Sequence, residues 1–239
     1  MIRDLFNMKR CCAALAAAAL YCPALAEPAH RNVEFEYDGG MIAIEFGAEG
    51  QVYEADFETS GLFEQSTDDP GFDTEELPNG LMPNDIIGFN ILGPLVYHDG
   101  DGFASVPTGA AIQISDAINA VLTIDASTTT GAGVIGQAGD DGNGRGDVHA
   151  HIDFALTPNT LDAPEFGAYG VLMELTTDRT GIANSDPFYV VFNFGLEEDE
   201  AQPGPHFHDA VEDFAAAVPE PGSLALLGLG AMGLVRRRR

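Results

Sequence analysis

The stretch VEFEYDGGMIAIEF, residues 33–46, decides the fold class of this chain. Apolar and acidic residues alternate from Val33 to Tyr37, and the pattern alternates again from Met41 to Phe46. This is the two-residue period of a half-buried strand. Between the runs, Asp38-Gly39-Gly40 supplies residues that accept the positive φ angles of a tight turn. Residues 33–46 therefore predict a β-hairpin.

Strand patterns continue through most of the chain, and Gly, Pro and Asp separate them at fairly regular spacing. Only the stretch after Pro205 has helical spacing, with Val211, Phe214 and Ala215 on one face. Residues 58–85 are rich in Asp, Gly and Pro and predict a long surface loop. We expect an all-β body, an antiparallel β-sandwich or jelly roll with one short helix near its end. The further candidate strands are 86–92, 111–114, 120–125, 134–137, 148–156, 169–177 and 188–194.

Acidic residues dominate the composition. The 239 residues include 38 Asp and Glu but 10 Lys and Arg, for a net charge of −28. Between residues 27 and 218 the basic residues are Arg31, Arg145 and Arg179. Nucleic acids are bound through Lys and Arg, so we expect no nucleic-acid partner. A hydrophobic content of 45% with 15 Phe indicates a folded body.

The N-terminal segment has the three parts of a secretory signal peptide. Lys9 and Arg10 form the basic region, Cys11 to Tyr21 form the apolar core, and Ala24-Leu25-Ala26 is a small-x-small cleavage site. We expect a signal peptide over residues 1–26, export through the secretory translocon, and a mature chain that starts at Glu27. Translation starts at Met1 or at Met8, and an uncleaved anchor helix is the alternative. The three cysteines all lie in this segment, so the mature body contains no thiol.

The C-terminal segment carries the most specific pattern. Val218-Pro219-Glu220-Pro221 is followed by the apolar run 222–235 and then by Arg236-Arg237-Arg238-Arg239. This arrangement resembles the PEP-CTERM sorting signal, in which a Pro-Glu-Pro motif, a hydrophobic helix and a basic end occur in this order. The resemblance implies a precursor held in the inner membrane only through the sorting helix, recognition by a membrane-embedded exosortase, and transfer to the cell surface or extracellular matrix. An ordinary tail anchor is the alternative. The expected organisation is signal peptide 1–26, β-sandwich body 27–217 and sorting signal 218–239.

Histidines provide the candidate metal ligands of the body. In a strand, His149, His151 and Asp153 share the face opposite to Val148, Ala150, Ile152 and Phe154. A second pair, His206 and His208, follows Pro205. If the pairs meet in space, they form a nitrogen-rich site for zinc or copper. The alternative is that these histidines are ordinary surface or half-buried residues.

Calcium is the second candidate metal. Asp141, Asn143 and Asp147 lie in an acidic, glycine-rich loop just before the His strand, and residues 98–102 form a similar fragment. Flexible loops of this kind let several oxygens converge on a calcium ion. Arg145 stands where such loops place Asp, Asn or Ser. Both loops also fit plain turns, since Asp-Gly accepts a positive φ.

Two function classes follow from these patterns. The first is a non-enzymatic surface or matrix protein that binds a divalent metal through the paired histidines. The second is an exported metalloenzyme similar to the cupins, a jelly-roll family that uses a His-x-His strand. This chain departs from the cupin pattern, because Asn143 stands in place of the glycine before the first His and Ala155 or Leu156 in place of the Glu after the second. The body is also loosely similar to uncharacterised PEP-CTERM proteins with a His-x-His strand. We expect the first class, without catalytic residues.

Overall fold

The structure is a computed structural model that describes residues 32–47, 50–57, 59, 65–74, 79–157, 164–198 and 202–218. The expected signal peptide, its cleavage site and the segment after Val218 lie outside these residues. The described elements, in chain order, are β1 (Val33–Asp38), β2 (Met41–Ile44), β3 (Val52–Asp56), β4 (Ser66–Thr67), β5 (Phe72–Thr74), β6 (Ile86–Ile91), β7 (Val96–His98), β8 (Phe103–Ala104), β9 (Ala111–Ser115), β10 (Val121–Ile124), β11 (Gly131–Gln137), β12 (Gly139–Asp140), β13 (Gly146–Asp147), β14 (His149–Ala150), β15 (Asp153–Thr157), β16 (Gly167–Thr177), β17 (Phe188–Phe194) and α1 (Phe207–Ala217).

The predicted hairpin over residues 33–46 is confirmed. Strands β1 and β2 pair antiparallel, with Asp38 opposite Met41. Gly39 and Gly40 have φ angles of 58° and 86°, which is the backbone that a two-residue hairpin turn requires. Val33 and Phe35 are fully buried, whereas the alternate residues Glu34 and Glu36 are only partly buried.

The strands form three larger sheets and one two-stranded ribbon within the described ranges. One four-stranded sheet has the order β14-β5-β1-β2, and a second has the order β10-β9-β15-β4. A seven-stranded sheet has the order β11-β6-β16-β17-β3, with β7 beside β16 and β8 beside β7. Strands β12 and β13 pair with each other.

The main core lies between the seven-stranded sheet and the two four-stranded sheets. Phe154 of β15 contacts Phe192 of β17 across the layers, with ring centroids 4.9 Å apart. Phe35 and Phe72, from the other four-stranded sheet, belong to the same buried cluster. The expected all-β sandwich is therefore confirmed.

Two strand pairings depart from the expected antiparallel arrangement. Strand β1 pairs parallel to β5, and β17 pairs parallel to β3. Residues 58–85, predicted as a loop, contain β4 and β5. Both strands are two or three residues long and pair with segments distant in sequence, so their local composition does not reveal them.

The predicted strand 148–156 is divided in the structure. Its first part, β14, pairs with β5 of one four-stranded sheet, and its second part, β15, pairs with β9 and β4 of the other. His151 and Ile152 form the junction. The alternation of faces continues through this junction, with Val148, Ile152 and Phe154 buried.

The predicted helix after Pro205 is confirmed as α1. Its apolar residues recur at positions that share one face, and Phe207, Ala210, Val211 and Phe214 are buried. They form a second cluster with Tyr189 and Val191 on the outer face of the seven-stranded sheet. Because β17 thus has core on one side and α1 on the other, all seven of its residues are buried.

The contact between α1 and the sheet depends on Gly170 in β16. A Cβ added at this position would stand 2.6 Å from Cζ of Phe214 and closer still to another atom of the ring. We predict that Gly170→Ala lowers the free energy of unfolding by about 1–3 kcal/mol, since the fully buried Phe214 ring would have to shift. Gly93→Ala is the matched control, because nothing lies within 4 Å of its added Cβ. Chemical denaturation of both variants tests this, and equal stability would contradict the packing described here.

Alkaline pH provides a second test of the core. Burial raises the pKa of Tyr97, Tyr169 and Tyr189, with Tyr169 shifted furthest. Residues 27–218 contain no Lys or Cys, so tyrosines dominate their titration in this range. Unfolded tyrosines release their protons near pH 10 while the buried ones keep theirs, so stability falls as pH rises above about 10.

The measurement is urea denaturation at a series of pH values from neutral to strongly alkaline. Tyr169→Phe should make the alkaline loss shallower, although it also removes the hydrogen bond that the Tyr169 hydroxyl donates to the Glu165 carbonyl at 2.6 Å. A free energy of unfolding that stays constant through the tyrosine titration range would contradict the prediction.

Candidate metal ligands and the sorting segment

The His-x-His segment lies on the outer surface of the sandwich. His149, His151 and Asp153 are exposed, as the alternation predicted, and their neighbours Val148 and Ile152 belong to the main core. The side chain of His149 is 62% exposed and that of His151 is 36% exposed. The two rings lie 5.4 Å apart between centroids in an edge-to-face arrangement.

Both histidines contact the segment around β5. Nδ1 of His149 lies 3.0 Å from Oδ2 of Asp73, its direct partner across the strand pair. Nδ1 of His151 lies 3.0 Å from the carbonyl oxygen of Asp68 and 3.9 Å from Oδ2 of the same residue. One nitrogen of each ring is therefore held in place by the protein.

One group of three side chains in the described part of the chain could hold a metal ion. The ligand atoms of Asp68, Asp69 and His151 all lie within 4.8 Å of one another. The sequence did not single out Asp68 and Asp69, because they lie among the many acids of residues 58–85. Only the proximity of residues before β5 to the junction between β14 and β15 brings them beside His151.

The second histidine pair lies elsewhere in the fold. His206 precedes α1 and bridges to Glu197, and its Nδ1 is buried without a hydrogen-bond partner among the described residues. Nε2 of His208 lies 3.3 Å from Oε1 of Glu212, one turn along α1. Helix α1 covers the outer face of the seven-stranded sheet, whereas His149 and His151 lie on the opposite layer. The structure therefore does not bring the two pairs together, and Asp153 does not join the group around His151.

His98 is buried, and both of its ring nitrogens have partners. It is 1% exposed. The amide of Gly100 donates to Nδ1 at 3.0 Å, so the proton is on Nε2, which lies 3.1 Å from Oδ2 of Asp213 in α1. This side chain fastens the helix to β7 and has no nitrogen left for a metal.

In each of the two acidic loops, an Asp side chain accepts hydrogen bonds from backbone amides of the same loop and so stabilises a turn. Oδ1 of Asp141 accepts hydrogen bonds from the amides of Asn143 and Arg145, and these hydrogen bonds lower the pKa of Asp141. Oδ1 of Asp99 accepts from Asp101 and Gly102 in the same way. Asp147 accepts a hydrogen bond from the hydroxyl of Thr74 at 2.8 Å. Calcium binding at these loops stays a prediction.

An open pocket of about 340 Å³ lies at the end of β17, and none of the candidate ligands lines it. Its lining contains no histidine. The lining residues are Asp56, Phe57, Thr59, Asn193, Gly195, Leu196 and Glu198.

The C-terminal sorting residues follow directly after α1. Val218 is 9% exposed and packs in the apolar cluster of the helix. Pro219, Glu220, Pro221, the predicted helix 222–235 and Arg236–Arg239 lie outside the described residues. In the ranges that the structure describes, no helix has the length and apolar character needed to cross a membrane.

Comparison with known proteins identifies this C-terminal segment. No curated protein matches the chain. Residues 217–239 match the PEP-CTERM protein-sorting motif, which confirms the resemblance of the Pro-Glu-Pro segment, the apolar run and the basic end. The chain therefore carries the PEP-CTERM protein-sorting motif and is identified by it as an exported protein that exosortase sorts.

Proposed function

We propose that this chain is a non-enzymatic cell-surface or extracellular-matrix protein, exported through the secretory translocon and delivered by exosortase. The observation that carries the proposal is the sorting motif at residues 217–239. A signal peptide over residues 1–26, with cleavage between Ala26 and Glu27, supplies the export step. The β-sandwich is the part that reaches the surface.

The length of the apolar run supports a temporary sorting segment. The 14 residues of 222–235 would make only about 21 Å of helix at 1.5 Å per residue. The hydrocarbon core of a bilayer is roughly 30 Å thick. Arg236–Arg239 favour a cytoplasmic C-terminus, so the body stays on the outer side. A marginal span with a basic end suits a precursor that is held briefly and then processed.

The junction between body and motif supports the same function. Helix α1 ends at Ala217, and Val218 is already packed against the sheet. The prolines at 219 and 221 disfavour continuation of a helix. The described core therefore extends to Val218 at the start of the motif, so removal of the segment beyond the motif takes away none of its residues.

The exposed position of the histidines supports a non-enzymatic body. A catalytic metal site of the cupin type would use His149 and His151 inside a cavity that surrounds the substrate and excludes water. Here both side chains lie on the outer surface of a sheet, and the rings contact solvent. An exported metalloenzyme that uses these histidines is the alternative function. Metal-dependent catalysis by the purified protein, lost in a His149→Gln/His151→Gln variant, would favour this alternative.

Replacement of the motif prolines tests the sorting function. We predict that Pro219→Ala/Pro221→Ala leaves an uncleaved, membrane-bound precursor in cells that contain an exosortase, because both prolines of the Pro-Glu-Pro motif are lost and the helix is no longer disfavoured there. The wild-type chain should reach the surface without residues 222–239 and should begin at Glu27. Cell fractionation with mass spectrometry of both chain ends provides the measurement.

Pro203→Ala is the matched control, since Pro203 is exposed and lies before α1. It should be processed as the wild type is. The same cells without their exosortase should accumulate the wild-type precursor. Normal surface delivery of the motif variant, or of the wild type without exosortase, would refute the proposal.

A further inference from the structure

His149 and His151 have the arrangement that proteins give to metal-ligating histidines. Such a histidine commonly uses one ring nitrogen for a hydrogen bond to a carboxylate or a backbone carbonyl, which fixes the ring and leaves the other nitrogen for the metal. Nδ1 of His149 meets the Asp73 carboxylate, and Nδ1 of His151 meets the Asp68 carbonyl, each at 3.0 Å. Neither Nε2 has a hydrogen-bond partner among the described residues.

The distance between the rings fits a single ion. Zinc lies about 2.0–2.1 Å from an imidazole nitrogen, so two imidazoles at tetrahedral angles have centroids roughly 5 Å apart. The centroids of His149 and His151 are 5.4 Å apart. The separation of the two rings is therefore compatible with coordination of one ion by both imidazoles.

The pairing of β14 with β5 sets this geometry. His149 is directly opposite Asp73 and Ala150 is opposite Phe72. Continuing the register by one residue places His151 opposite Gly71. The His151 ring occupies the space of a missing side chain there, because an added Cβ would stand 2.6 Å from its Cε1 and 2.9 Å from its Nε2. Glycine at position 71 is therefore required for the observed ring position.

Oxygen ligands are close to the same ring. Carboxylate oxygens of Asp68 and Asp69 lie within 4.8 Å of a ring nitrogen of His151. Oδ1 of Asn32 lies 2.8 Å from the point that a Gly71 Cβ would occupy, which is also 2.9 Å from Nε2 of His151. A site with two imidazoles and nearby oxygens suits zinc, whereas calcium prefers oxygen ligands alone.

We propose that His149 and His151 bind one zinc ion through their Nε2 atoms. Asp73 orients His149, and Gly71 gives the His151 ring its position. The site lies on the exposed face of a four-stranded sheet, so a water molecule or a donor atom from another molecule can complete the coordination. The acidic body attracts divalent cations generally, and the histidines select among them.

Calorimetric titration of the full chain in detergent with Zn²⁺, in the presence of excess Ca²⁺, tests the proposal. We expect one zinc ion per chain and two imidazole ligands in the zinc X-ray absorption spectrum. Asp73→Asn should lower the zinc affinity by about 10-fold or more, because it weakens the contact that orients His149. His149→Gln and His151→Gln should each lower the zinc affinity further, because each removes a ligand. Gly71→Ala should weaken binding although it removes no ligand.

His208→Gln is the matched control, because His208 is also an exposed histidine paired with a carboxylate. It should bind zinc as the wild type does. The histidine and aspartate side chains that are substituted all contact solvent. Circular dichroism should therefore show an unchanged fold for each of these histidine and aspartate variants.

Several results would overturn the proposal. They are the absence of zinc binding, complete competition by Ca²⁺, an effect of His208→Gln equal to that of His149→Gln, and a loss confined to His151→Gln. The last result would indicate a site of His151 with Asp68 and Asp69 alone. None of these results bears on the sorting function, which is tested by processing in cells.

Discussion

The burial of β17 on both faces is the constraint on which the rest of the molecule depends. All seven residues of this strand are buried. One face packs into the main core, where Phe192 contacts Phe154 from the opposite layer. The other face carries Tyr189 and Val191, which pack in one buried cluster with the apolar residues of α1. A sheet with an apolar outer face would otherwise expose a large patch to solvent, so the helix is part of the domain and not an appendage.

The docking of α1 also places the sorting segment. Phe214 fits against Gly170 and lies 5.1 Å from both Tyr189 and Phe103 between ring centroids. Buried His98 adds a polar contact to Asp213. These contacts hold the last helical turn against the sheet up to Val218. The point at which the chain leaves the body towards the membrane is therefore fixed by packing in the body itself.

Local sequence patterns predicted the local structure well. The hairpin of β1 and β2 and the helix α1 each depend on residues close in sequence, and both were predicted. The division of strand 148–156 was not, because two sheets compete for it and the partners β5 and β9 lie far away in the chain. The parallel pairings of β5 with β1 and of β3 with β17 were not predicted for the same reason, since each joins segments that lie far apart in the chain. Strands β4 and β5 are in addition only two and three residues long, which is too short to show a period.

The candidate site shows the same division between local and distant information. The outward direction of His149 and His151 follows from alternation, and the sequence was sufficient to predict it. Asp68 and Asp73 could not be singled out, because no property of residues 58–85 distinguishes them from the other acids of that region. Their roles follow from the register of β14 on β5, which is a long-range contact.

What distinguishes the histidines is the partner of each ring nitrogen. In His98 both nitrogens are occupied inside the fold, and the ring fastens a helix to a strand. In His208 the contact is a helical pair with Glu212 on the surface, which contributes little to stability. In His149 and His151 the protein holds Nδ1 and leaves Nε2 on an exposed face. A His-x-His spacing alone does not specify a metal site, and in this pair the orientation that the proposed zinc site requires comes from partners on the neighbouring segment around β5.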